Sequence, residues 1–157
     1  MRLILAITMI ALAGCSTPSF QGPFGPAPDA AIAAPVPTLN PAPPPPPPQN
    51  AVTIAQFDTT SAEDRAAAIT TTPADAKALG STIATLGSPA EAGIWLKTPL
   101  VTALTPGRVT YQGKTINIEL RPSGGAAGSG SQISLAAMRL IEAPLTSLPE
   151  LTVFAAP

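Results

Sequence analysis

Few side chains in this 157-residue chain have types and spacing suited to chemistry. There is no histidine, and Cys15 is the only cysteine. That rules out a Ser-His or Cys-His nucleophile pair, and it leaves neither imidazole nor a thiolate set to hold zinc. General acid–base work needs carboxylates whose proton affinity a cleft has shifted. The candidates are Glu91, Glu119, Glu142 and Glu150, none with a second acid close in sequence. Glu119 falls between Ile118 and Leu120 on the wet side of an alternating segment, Glu142 ends a predicted helix, and Glu91 and Glu150 adjoin turn residues. All four read as solvated surface. The acids are too scattered for a carboxylate calcium or magnesium site. A Ser-Lys pair would rest on Lys77, Lys97 or Lys114, yet no serine sits in a Gly-x-Ser-x-Gly elbow. Ser129, in Gly-Ser-Gly, lacks the strand–turn–helix context. Gly125 and Gly130 have the spacing of a phosphate-binding loop, but Ser131 and Gln132 stand where lysine and Ser/Thr are required. The loop 124–130 therefore reads as a flexible connection. No catalytic residue, metal site or cofactor is expected, and the residue set argues against an enzyme.

The elements that must position these groups change character along the chain. Ala51-Val52-Thr53-Ile54 reads as a short extended piece. Ser61 with Asp64 three residues on predicts a capping box opening a helix through Ala68 or Ile69. Thr70 to Pro73 ends it, because β-branched residues and proline oppose continuation. Lys77–Leu79 reads as one more helical turn. From Gly80 the pattern is β. Ser81–Leu86 predicts a strand closed by the Gly87-Ser88-Pro89 turn. Gly93–Val101 holds the only tryptophan, Trp95, and Pro99 makes it an edge or bulged strand. Arg108–Tyr111, a Gln112-Gly113 turn and Lys114–Leu120 form a hairpin. Its alternation of Val109, Tyr111, Ile116, Ile118 and Leu120 with polar residues buries one face. Gln132–Leu135 is strand-like, Ala136–Glu142 a short helix stopped by Pro144, and Leu151–Phe154 a last strand. The fold class expected is mainly β: a compact barrel or curled sheet with two short helices.

The N-terminus supplies a different kind of chemistry. A basic Arg2, about ten apolar residues from Leu3 to Leu12 and the small Ala13-Gly14 have the layout of an export signal. The run is shorter than the roughly 20 residues needed to span a bilayer. Ending on Cys15, the sequence Leu12-Ala13-Gly14-Cys15 resembles the lipobox of bacterial lipoproteins. The resemblance implies cleavage between Gly14 and Cys15, and lipidation of Cys15 on its thiol and its new amine. The protein would then be held to a lipid bilayer. Ser16, rather than aspartate, follows the cysteine and is similar to an outer-membrane address, which puts the protein on the periplasmic side of the envelope. With Cys15 acylated, no thiol is left for a disulfide.

Thirteen of the 21 prolines lie between Ser16 and Asn50, along with a single charge, Asp29. Proline fixes φ and donates no hydrogen bond, so this stretch is expected to be a disordered tether. Pro43–Pro48 should be polyproline II, and the whole segment would reach about 100 Å if fully extended. It reads as a spacer in preference to a PxxP-type ligand, since no basic residue flanks the prolines. The expected organisation is a signal peptide at 1–14, a lipidated linker at 15–50, an extension with a short helix at 51–79 and a β-rich domain at 80–157. Residues 51–157 carry 7 Lys/Arg against 8 Asp/Glu, a balance that calls for no nucleic acid.

Two further resemblances concern the C-terminal half. STIATLGSPAEAGIWLKTPLV, from Ser81, and GRVTYQGKTINIELRPSGGAAGSGSQISLAAMRLIEAPLTSLPELTVF, from Gly107, resemble small bacterial lipoproteins that sometimes carry the label D-galactarate dehydratase. True sugar-acid dehydratases are much longer and iron-dependent, and this chain has no histidine or free cysteine to ligate iron. Gly113-Lys114, Ile116–Leu120 and Ile133-Ser134-Leu135 with the alanines that follow match, in order, the RlpA-like double-psi β-barrel. In that family a loop aspartate is tied to peptidoglycan cleavage. It would fall near Arg121-Pro122-Ser123, where no acid stands, and Ser134 occupies the place of the second aspartate. The resemblance thus implies the fold without the lytic activity. Together these readings point to an envelope lipoprotein whose β domain binds or scaffolds peptidoglycan or an envelope protein. The alternative is an enzyme, either a diverged glycan-cleaving barrel or the dehydratase of the label.

Overall fold

The computed structural model describes residues 43–70 and 76–156. The signal segment, Gly14, Cys15 and most of the expected linker lie outside the described residues. The elements run α1 (Ile54–Phe57), α2 (Ala62–Ile69), β1 (Lys77–Leu86), β2 (Trp95–Thr98), β3 (Thr105–Tyr111), β4 (Lys114–Pro122), β5 (Ser131–Ile133), α3 (Leu135–Leu140) and β6 (Glu150–Ala155). The six strands close into a barrel in the order β1-β5-β2-β4-β3-β6. Closure removes every sheet edge, which a curled sheet would leave open.

The pairing has an internal regularity. β1·β5 and β2·β4 are parallel, while β1·β6, β2·β5, β3·β4 and β3·β6 are antiparallel. Every strand of the first half (β1, β2, β3) pairs only with strands of the second (β4, β5, β6). Exchanging β1 with β4, β2 with β5 and β3 with β6 leaves the pairing pattern unchanged.

The hairpin follows the alternation read from sequence. Val109, Ile116, Ile118 and Leu120 are buried, and Arg108↔Asn117 and Val109↔Ile116 face each other across the β3·β4 pair. The turn has Gln112 at φ 46° and Gly113 at φ 83°, the two left-handed positions that suit a tight hairpin turn between twisted strands. Leu96, Ile133, Leu151 and Val153 complete the interior, and Met138 and Ile141 of the α3 region join the same core.

Three differences from the sequence reading have clear causes. Lys77–Leu79 is not a helical turn but the start of β1, which pairs with β6 through an irregularity between Ala78 and Gly80. The bulge lets the strand continue past Leu79, where local pattern alone gave no period. Of Ala51–Ile54, Thr53 is extended, but Ile54 already opens a helix. Thr53 caps α1 through a reciprocal capping box with Gln56, so there are three short helices among the described residues instead of two. β2 is not an edge strand: β4 and β5 flank it, and it ends at Thr98, one residue before Pro99 can interrupt the ladder. The helix predicted from Ser61 and Asp64 is α2, with both halves of its capping box formed.

The segment before β1 packs on the barrel. Asn117 Nδ2 of β4 donates to Ala67 O (3.1 Å) and Thr70 O (2.7 Å), satisfying carbonyls at the end of α2 that helix geometry leaves unpaired. The Asp58 carboxylate, its side chain only 2% exposed, pairs with Arg65 at 3.3 Å and with Arg139 of α3. Burial alone would raise its proton affinity. Hydrogen bonding from Thr60 and the Arg65 charge outweigh it, holding Asp58 below the usual carboxylate range.

Candidate functional site: a charged cluster and groove on the outer face of the barrel

Alternation decides which side chains of β2 and β4 leave the barrel. Leu96 and Leu120 are register partners and fully buried in the core, so their neighbours Trp95, Lys97, Glu119 and Arg121 project outward. The parallel register sets Trp95 beside Glu119 and Lys97 beside Arg121. Trp95 is nevertheless inaccessible, because the loop Gly87–Ile94 folds over it. Its indole Nε1 donates to Glu91 O at 3.2 Å. Gly87 comes so close to the ring that a Cβ there would clash with it. Lys97 Nζ and the Arg121 guanidinium sit 4.9 Å and 5.4 Å from the ring centroid, within cation–π range.

These cations are tied into a chain of charges. Lys97 Nζ donates to Glu91 Oε2 at 2.6 Å, Arg121 Nη1 to Glu91 Oε1 at 2.8 Å, and Arg121 Nε to Glu119 Oε1 at 2.5 Å. The four side chains are each about one-third exposed. Two acids read as isolated surface in the sequence thus meet at one guanidinium. Glu91 reaches it from the loop and Glu119 from the strand.

Beside the cluster lies a groove of about 740 Å³. Thr85 of β1, Gln132 of β5, Lys97 of β2 and Arg121 of β4 are successive register partners, forming one outward row across four strands. Thr85, Gln132 and Lys97 line the groove floor, with Ile83 alongside. The far wall is Ser123 together with the glycine-rich loop, including Ser129. That loop therefore shapes a recess as well as connecting strands. The recess presents hydroxyls, an amide and a single cation. It can donate and accept hydrogen bonds, while each nearby carboxylate is held by a cation.

The other candidates scatter. Glu142, at φ 57° after α3, pairs with Lys114 across the surface. Glu150 is exposed at the start of β6, and Lys77 is exposed at the start of β1. Ser134, where the double-psi resemblance places an aspartate, is fully buried. Its Oγ accepts from Trp95 N (3.1 Å) and Ala137 N (3.2 Å), and its N–H donates to Trp95 O at 3.0 Å. It caps α3 and fastens that helix to β2, a structural role. Among the described residues, no three Asp or Glu side chains converge as a cation site would require. Sequence reasoning missed Arg121, Gln132 and Thr85. The available signal was the alternation Trp95-x-Lys97 and Glu119-x-Arg121, which marks two strands with polar outward faces.

Comparison with protein-family models, curated proteins and solved structures gave no match.

Proposed function

We propose that the protein is a lipoprotein of the bacterial cell envelope, held to the bilayer through acylated Cys15, with a barrel that binds or scaffolds and does not catalyse. The observation that carries the binding part is the row Thr85–Gln132–Lys97 beneath the glycine-rich loop. It is a polar recess whose neighbouring carboxylates are engaged by Lys97 and Arg121. Such a surface suits a hydroxyl- and amide-rich chain, so the partner is peptidoglycan or an envelope protein, and no nucleic acid is involved. The half-to-half pairing of the six strands supports the double-psi likeness of the barrel. The lipobox-like Leu12-Ala13-Gly14-Cys15 and Ser16 support an outer-membrane address facing the periplasm.

Two experiments test this reading. Labelled palmitate should enter the wild-type chain and be lost in Cys15→Ala, with the variant leaving the membrane fraction. Purified protein should co-sediment with sacculi or crosslink to an envelope protein, and Gln132→Ala with Lys97→Ala should weaken the association at least severalfold. Failure of both kinds of association removes the binding reading.

The meeting of Glu91 and Glu119 at Arg121 favours one second reading, a diverged glycan-cleaving barrel. Turnover of glycan strands that disappears in Glu119→Gln or Glu91→Gln would establish it. The dehydratase label gains no comparable support, and assay on galactarate with and without iron tests it directly.

A further inference from the structure

The last part of the proline-rich stretch is seated on the barrel. Of Pro43–Pro48, Pro44 and Pro47 are half-buried and the others exposed. That spacing of three matches the turn of a polyproline II helix, so one edge of the helix faces the protein. Two residues receive it. Thr59 Oγ1 donates to Pro45 O at 2.6 Å, using a carbonyl that polyproline II leaves without an internal partner. On the other side Gly93 lies against the Pro44 ring: a Cβ built on Gly93 would stand 3.7 Å from Pro44 Cδ and 3.8 Å from Trp95 Cδ1. After Pro48 the chain turns sharply, with Ala51 N donating to Pro48 O at 3.0 Å.

Both walls are held from behind. Thr59 follows Asp58, whose carboxylate is fixed by Arg65 and Arg139. Gly93 belongs to the loop that covers Trp95 and is tied down through Glu91. A hydroxyl donor aimed at a proline carbonyl, beside a glycine that leaves room for a proline ring, suits a proline-rich strand, whose carbonyls have no internal partner and whose rings offer an apolar edge.

We propose that this surface is a polyproline-binding seat, occupied in cis by Pro44 and Pro47, and that a proline-rich segment of a partner binds there only by displacing the chain's own. The seat is distinct from the groove over Gln132, and it stands or falls independently of what that groove holds. The intramolecular occupant acts as a competitor whose effective concentration is set by the short connection through Ala51–Asp58.

The test uses the full chain and a fluorescently labelled hexaproline peptide, read by anisotropy and by the emission of Trp95, the only tryptophan. The double variant Pro44→Gly/Pro47→Gly vacates the seat. It should bind the peptide at least ten-fold more tightly than wild type, with a change in Trp95 emission. Adding Thr59→Val should remove most of that gain. Pro44→Ala alone, a milder change, should shift binding in the same direction by a smaller factor, and it decides the matter if the double variant does not fold. Equal binding by wild type and a folded variant overturns the proposal, as does equal affinity for a Gly-Ser peptide of the same length.

Discussion

Two charged networks in this protein use the same residue types to opposite ends. At Asp58 a carboxylate is sunk beneath Arg65 and Arg139, and its proton affinity is held down. At Glu91 and Glu119 the carboxylates share Arg121 and Lys97 at the rim of a groove, with every member about one-third exposed. The first network joins the N-terminal segment to α3. The second lies over a buried tryptophan and borders open space. Burial separates the roles. The arginines on Asp58 are themselves solvent-accessible, but the carboxylate they hold is sunk and depends on them as a fastening. A carboxylate that is itself half-wet can instead trade partners with a ligand.

Trp95→Ala should cost about 3–5 kcal/mol, since the ring is fully buried beneath its loop. Urea denaturation would measure it. A much smaller loss would mean that the loop collapses to fill the space and the cluster has no fixed platform. Asp58→Asn should cost about 2 kcal/mol, the scale of charged hydrogen bonds lost at a buried group.

The Asp58 effect has a definite pH signature. Because the folded-state proton affinity is lowered, the contribution is fully present above the unfolded-state value of about 3.9 and disappears as pH falls through the lower folded value. Wild type and Asp58→Asn should therefore differ in stability at neutral pH and converge in strong acid. A constant gap across that range would mean that shape, not charge, does the fastening. Ser134→Ala should cost about 1–2 kcal/mol, combining a lost cap with a buried Trp95 N–H left unpaired. A thermal melt reads it. Glu91→Gln should change stability by less than about 1 kcal/mol, with an effect that shrinks further in salt. Its signature belongs in ligand binding instead, and a loss as large as that of Asp58→Asn would erase the contrast between the two networks.

How much of this was legible in the sequence depended on how far apart the interacting residues lie. The β3–β4 hairpin was readable because Val109, Ile116, Ile118 and Leu120 alternate within one local window, and Gln112-Gly113 supplies the turn. The α2 cap was readable from Ser61 and Asp64 for the same reason. The Thr53–Gln56 box had an equally local signal, hidden by the β-branched residues around it. What escaped was built by pairing between distant strands. Glu91 and Arg121 meet because β2 and β4 lie parallel, a register no single stretch encodes. Trp95 looked like an edge-strand residue because Pro99 follows closely, yet β2 ends just before that proline and both its sides are paired. The groove needed β1, β5 and β2 side by side, so Thr85 and Gln132 carried no mark of their own.

The interlocked pairing has a consequence for how the molecule comes into being. No two strands of the first half ever touch as partners, so an emerging chain that has delivered only β1, β2 and β3 has nothing to zip together. Once β4 is made it can pair with both β2 and β3, but β1 has no partner until β5 and β6 appear. Closure therefore waits for the last strands and is dominated by contacts between residues far apart in the chain, which makes it slow relative to helical proteins of this size. The same arrangement makes the barrel naturally divisible. Cut between β3 and β4, the two pieces would each be formless alone and should recombine into one closed barrel when mixed.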